Sequence, residues 1–282
     1  MFERITELMS SQTTLNDISG DLDALTTTEN ELSSGLKINE PSDDPYGASV
    51  VVDLNSQLSQ ITNYQNNITD ANGYLSAAGG ALTNINNMVN TIRELAVEGA
   101  NGTENTSDDQ DEADEVNQLI SAITQATQTT YNGNSVFSAT PATRTIGPDS
   151  QTVQVNTDLT SLLGNGTSDT LLLSTLNKIS SDLSSGNTTG LGTTDLQNLD
   201  ANLSTLQSIQ ANAGALTNRL TEASSALTTL QSTDHTQLAN TQDVNMAQAA
   251  TTYSTEQASY TAALQSGAQI VQESLLNFLT PG

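Results

Sequence analysis

The chain has 282 residues, 32 Asp+Glu against 6 Lys+Arg for a formal charge of −26, 35% apolar residues, 3% aromatics and no cysteine. That balance excludes the basic face that nucleic acid requires, disfavours an anionic membrane surface, and rules out disulfides, thiolate zinc sites and cysteine nucleophiles. A core of Leu, Ile, Val and Ala with few rings suits narrow helix–helix seams, and no run of about 18 apolar residues is present to insert into a bilayer.

The N-terminus, MFERITELMSSQ, has acids and helical spacing where a signal peptide would carry a basic start and an apolar run. The chain therefore reads as cytosolic unless a pathway exports it without a cleaved signal. Leu8, Leu15, Leu22 and Leu36 recur every seventh residue, with a gap at Glu29, and Ile18, Leu25 and Leu32 fill the complementary positions. This predicts one apolar stripe on a helix of about 30 residues that ends near Gly35.

The stretch INEPSDDPYGAS, residues 38–49, follows. An adjacent acid pair, Asp43 and Asp44, raises the question of a metal or acid–base site. Neighbouring residues point apart, however, and the single histidine, His235, lies in a distant polar stretch. Punctuation is the better reading. Pro41 and Pro45 hold Glu40 and Asp44 out of helical backbone, Asp44 suits an N-cap, and Pro45 suits the first helical position. Asn39, Pro41, Ser42, Asp43, Asp44 and Pro45 are thus read as a break between two helices.

The second stripe runs unbroken through Ile61, Tyr64, Ile68, Ala71, Leu75, Ala78, Leu82, Ile85, Val89, Ile92 and Ala96. It predicts a helix from Pro45 to near Gly99, roughly 80 Å long, with Ile68, Leu75, Leu82, Ile85, Val89 and Ile92 as its seam. Helices of that length are coiled-coil elements far more often than globular ones. A third helix is expected with Ser107 as N-cap and acids in its first turn. Asn132-Gly133 signals a turn, and residues 136–156 read as one or two short hairpins. A short helix is expected from Ser168 to a stop at Gly186, and NTTGLGTT, residues 187–194, reads as a flexible joint. The last helical territory runs from about Asp195 to Leu279 with an interruption near Ser232. Met246, Tyr253, Tyr260, Leu264, Val271, Leu275 and Phe278 form its C-terminal seam.

The fold class expected is mainly α: an elongated rod of long antiparallel coiled-coil helices formed by the N- and C-terminal segments, with a small β-containing insertion in the middle. No nucleophile elbow, P-loop or Rossmann glycine pattern is present, and DDQDEADE lacks the glycine and ligand spacing of a calcium loop. No catalytic, cofactor-binding or metal-ligating residues are expected, and the chain is not read as an enzyme.

Three segments resemble the bacterial flagellin family: ELSSGLKIN (31–39), NNMVNTIRELAVEGANGT (86–103) and YNGNSVF (131–137). Filament members usually show a KDDAAG-like sequence after the first motif. NEPSDDP (39–45) is instead similar to the hook–filament junction branch. The C-terminal stretch 243–279, with LLSTLNKISSDLSSGN (172–187) and NRLTEASSAL (218–227), is similar to that branch too. LSSGLKIN is nearer the filament form. The resemblance implies axial-core helices at 1–38 and 238–282, a rod domain from 39–135 and the return helix 195–237, and a variable insertion at 136–194. It implies export by the flagellar type III pathway to the bacterial flagellum at the cell surface, and an adaptor ring at the hook–filament junction. The implied partners are copies of itself, flagellin, the other hook-associated junction protein and a cytosolic export chaperone on the C-terminal helix. The alternatives are the filament subunit itself and a secreted coiled-coil adhesin or effector. In each flagellar reading the terminal helices are expected to order by pairing within the assembly.

Overall fold

The computed structural model describes residues 2–102, 106–163 and 171–279, with the side chains of 2–8, 10, 106, 161 and 270–279 outside the description. The order is α1 (Phe2–Ser34), α2 (Pro45–Ala100), α3 (Thr106–Ala126), β1 (Thr130–Tyr131), β2 (Asn134–Ser135), β3 (Thr143–Gly147), β4 (Gln151–Gln154), α4 (Thr160–Leu163), α5 (Leu172–Ser184), α6 (Thr188–Gly190), a π-turn (Leu191–Asp195), α7 (Leu196–Gln242) and α8 (Met246–Leu279). The mainly α class with a small β insertion is what the chain adopts. Two compact units divide it: residues 1–59 with 231–282, and residues 60–230.

The second unit is built on the continuous stripe of α2. Leu82, Ile85, Val89, Ile92 and Ala96 pack with Val116 and Ile123 of α3, Leu176, Ile179 and Leu183 of α5, and Leu199, Leu203 and Leu206 of α7. Ile68, Ala71, Tyr74 and Leu75 pack with Leu220 and Leu227 of α7 and with Ile146, Val153 and Val155 of the β region. The strands form two antiparallel hairpins. Asn132 and Gly133, both at positive φ, turn the first, as an Asn-Gly pair does in a twist-matched two-residue loop. The second is fastened to α2: Arg144 Nε donates to Asp70 Oδ2 at 2.8 Å, and Asn67 Nδ2 donates to the Thr145 carbonyl at 2.8 Å. Buried Asn156 holds the loop before it, accepting from Ala142 N at 2.6 Å and donating to the carbonyls of Ser138 and Thr140.

Three sequence expectations are corrected. No interruption occurs near Ser232; α7 runs on to Gln242. Its polar hydroxyls do not break it because they bond back within the helix, as Thr236 Oγ1 does to the Ser232 carbonyl and Thr241 Oγ1 to that of Gln237. The connection between α7 and α8 lies at residues 243–245. NTTGLGTT is no flexible joint. It forms α6, capped by Asn187 Oδ1 on Gly190 N, and the π-turn, where Leu191 and Asp195 are buried. Ser107 lies within α3, which begins at Thr106.

Candidate functional site

The first unit carries the break between α1 and α2. Gly35, at φ +75°, ends α1 with a reversal that a Cβ would strain, and its N–H still reaches the Glu31 carbonyl at 2.9 Å. The chain then pairs with the α7–α8 connection. Lys37 N donates to the Gln242 carbonyl at 2.6 Å, Val244 N to that of Gly35 at 3.0 Å, and Leu36 bridges Asp243 in antiparallel fashion. The two breaks of this unit thus fasten one another, and each satisfies backbone groups the other leaves open.

The acid pair at 43–44 is divided between two tasks. Asp43 Oδ2 accepts from the backbone N–H of Asn39 and of Glu40, both at 2.9 Å. The bonds from Glu40 and then Asn39 hold its carboxyl below the usual range. Asp44 Oδ1 accepts from Tyr46 N at 3.1 Å and Gly47 N at 3.0 Å, capping α2 at Pro45. Gly47 is buried, and a Cβ there would lie 2.5 Å from both Asp44 Oδ2 and Ile38 Cδ1. Pro41 and Ser42 form the exposed turn, where Ser42 Oγ lies 3.3 Å from Glu40 Oε2. Asp43, Glu40, Glu31 and Lys37 line an open polar cleft of about 540 Å³. Among the described residues no group of three or more His, Cys, Asp or Glu is placed to hold a metal ion. His235 is exposed.

Alongside the break, α1 and α8 pack antiparallel; Gly267 lies where a Cβ would meet Ile18 and Thr14. The covered positions of α1 include Thr14, Ile18, Asp21, Leu25, Thr28 and Leu32, and those of α8 are Ala249, Tyr253, Glu256, Tyr260, Ala263 and Gly267 among the described side chains. Ile18, Leu25, Leu32, Tyr253 and Tyr260 belong to the stripes read from the sequence, and Leu36 is half-buried at the bridge. Leu15, Leu22, Met246 and Leu264 do not join the seam: they are 56, 45, 51 and 44% exposed. Small and polar residues take the alternate places instead, and Glu256 Oε2 is buried without a hydrogen-bond partner among the described residues. Leu8, Val271, Leu275 and Phe278 lie outside the described side chains. In the second unit, Ile68, Leu75, Leu82, Ile85, Val89 and Ile92 are all buried.

Sequence spacing did not disclose Asp43 as an acceptor for two N–H groups, Gly47 as a close-packed position, or the polar half of the α1–α8 seam. Only the Asp-Asp-Pro order hinted at the first.

The sequence profile of the bacterial flagellin N-terminal helical region matches residues 5–142. Flagellin of Escherichia coli O127:H6 is 35% identical over 85 residues, 30% of this chain and 16% of the relative. Flagellin of Escherichia coli K12 is 34% identical over 85 residues, 30% of this chain and 17% of the relative. The chain thus matches about a sixth of the length of these curated relatives. A protein assigned as a flagellar hook-associated protein from Vibrio parahaemolyticus has a similar fold, with TM-score 0.64 and 17% identity over 71% of this chain and 100% of that one. Bacillus cereus FlgL is also similar, with TM-score 0.56 and 16% identity over 68% of this chain and 99% of that one.

Proposed function

We propose that this chain, whose residues 5–142 match the bacterial flagellin N-terminal helical region, is a structural adaptor of the flagellum, seated between hook and filament. The observation that carries this reading is the scope of the likeness. Identity to the two Escherichia coli flagellins extends over 85 residues, whereas the shared fold takes in nearly all of the two neighbours. NEPSDDP at 39–45 supports the same branch. In this reading the chain leaves through the flagellar type III route and stacks on copies of itself, on flagellin and on the other hook-associated junction protein. A cytosolic export chaperone covers its C-terminal helix before export. Leu15, Leu22, Met246 and Leu264, exposed beside a seam half made of polar residues, are the surfaces that neighbouring subunits cover. Residues 1–38 and 238–282 serve as the axial core, 39–135 and 195–237 as the rod, and 136–194 as the outer insertion.

Deleting the gene tests it. Hooks without attached filaments, flagellin shed into the medium and rescue by the intact chain are expected. The filament reading draws on LSSGLKIN and on the flagellin identity; it predicts that purified subunits elongate seeds into long fibres, and that outcome would overturn the adaptor. A secreted adhesin would keep its binding after loss of residues 243–279, whereas flagellar incorporation requires them.

A further inference from the structure

The β3–β4 hairpin of the second unit is a two-stranded sheet, so each strand has an outer edge with no strand beside it. Which backbone groups face outward follows from the pairing. Val155 N donates to the Ala142 carbonyl at 2.8 Å, and bonded and non-bonded pairs alternate along an antiparallel ladder. Along the register, Arg144 opposite Val153 is again a bonded pair, whereas Thr143 opposite Gln154 and Thr145 opposite Thr152 turn their N–H and C=O groups outward. Such a row is a template for another strand. On β3 both outward carbonyls are occupied: that of Thr145 accepts from Asn67 Nδ2 of α2 at 2.8 Å, and that of Thr143 from Arg144 Nη1 at 3.2 Å. On β4 the Thr152 carbonyl accepts from Arg219 Nη2 of α7 at 3.2 Å. Past that pair the register shifts between Thr145 and Gly147, an irregularity of the kind that bends an edge.

The strand that Arg219 touches is one that invites pairing. QTVQVN, residues 151–156, has no charge, no proline and no glycine, the composition that stacks on copies of itself in extended sheets. Val153 and Val155 are buried, whereas Gln151 and Thr152 are exposed. We propose that Arg219 is an edge guard: its guanidinium, seated on the Thr152 carbonyl, keeps β4 from adding the same strand of a second copy. Arg219 is exposed on α7 and presents several N–H donors in a rigid fork. It satisfies the outward carbonyl and sets a charge where an incoming strand would have to lie, and charge at an edge is what deters strand addition. Asn67 and Arg144 do for β3 what Arg219 does for β4.

Arg219→Leu in the full chain, compared with the wild type in dilute buffer, tests this. The variant is expected to keep its helical circular dichroism and to show a severalfold rise in light scattering, with thioflavin T fluorescence and an intermolecular β band in the infrared. Loss of the arginine makes the chain more negative, which by itself drives copies apart, so association would run against the overall charge. Adding Thr152→Lys to Arg219→Leu returns a charge to the strand edge and is expected to restore the scattering of the wild type. An Arg219→Leu chain that stays as dispersed as the wild type overturns the guard. Association that comes with loss of the helical signal, lacks the β band or survives Thr152→Lys overturns it as well.

Discussion

Asp43 and Asp44 are adjacent, identical in chemistry and opposite in direction. One accepts backwards from Asn39 and Glu40, the other forwards from Tyr46 and Gly47. Each stops a different helix from claiming the segment between them. Asp44→Ala is expected to weaken the first unit by about 1 kcal/mol, the usual cost of a lost N-cap. Gly47→Ala forces a methyl group onto Ile38 and Asp44 and is expected to cost about 1–3 kcal/mol. Thermal melts followed by exchange on peptides over 36–60 check both. Asp43, whose folded value is lowered, contributes stability that is present above its unfolded value and lost as pH falls through the folded one. Exchange at residues 39–40 should therefore quicken below about pH 4, and Asp43→Asn, which retains an acceptor oxygen, should blunt that acid response while Asp43→Ala opens the turn at every pH.

At the scale of elements, α1 has two apolar edges and spends one of them on α8. Ile18, Leu25 and Leu32 are covered within the chain; Leu15 and Leu22 are not. Leu25→Ser is expected to loosen α1 and α8 in the isolated chain, seen as faster exchange in both helices. The pair Leu15→Ser and Leu22→Ser should leave that exchange unchanged and reduce attachment of filaments to hooks, counted by electron microscopy. The α2 seam was legible because its Leu and Ile residues keep one period and pack inside their own unit, so pattern and contact coincide. The α1 seam was half legible. Its loudest repeat, at Leu15 and Leu22, is not the face the chain uses on itself, and the alternate contacts at Thr14, Asp21 and Thr28 are invisible to a hydrophobic period. The α6 and π-turn region was misread because Gly and Thr carry no periodic signal, and what orders it is Lys178 reaching in from α5, a tertiary fact.

For the molecule as a whole, the two large hydrophobic clusters among the described side chains lie in the second unit, while the first adds to its bridge, caps and α1–α8 seam a smaller set of buried apolar residues, Ile38, Val51, Leu54 and Leu58. Unfolding is therefore expected in two steps, with the unit of residues 1–59 and 231–282 opening first. Ile85→Ala should lower the second step by about 2–5 kcal/mol and spare the first; calorimetry with exchange separates them, and a single coincident transition would contradict the division.

The ion pairs of Arg93 with Asp200, Arg144 with Asp70, and Lys178 with Asp182 and Asp195 match half of the chain's six basic side chains to carboxylates of the second unit. Among the charged residues left, carboxylates far outnumber bases. Copies of such a chain cannot recognise one another by matching opposite patches; they can only fit by shape once dissolved cations have muted their mutual repulsion. The ionic strength of the surrounding water thereby becomes a setting on assembly: subunits should stay apart in dilute buffer and associate as salt rises, a trend that light scattering across a sodium chloride series would read directly.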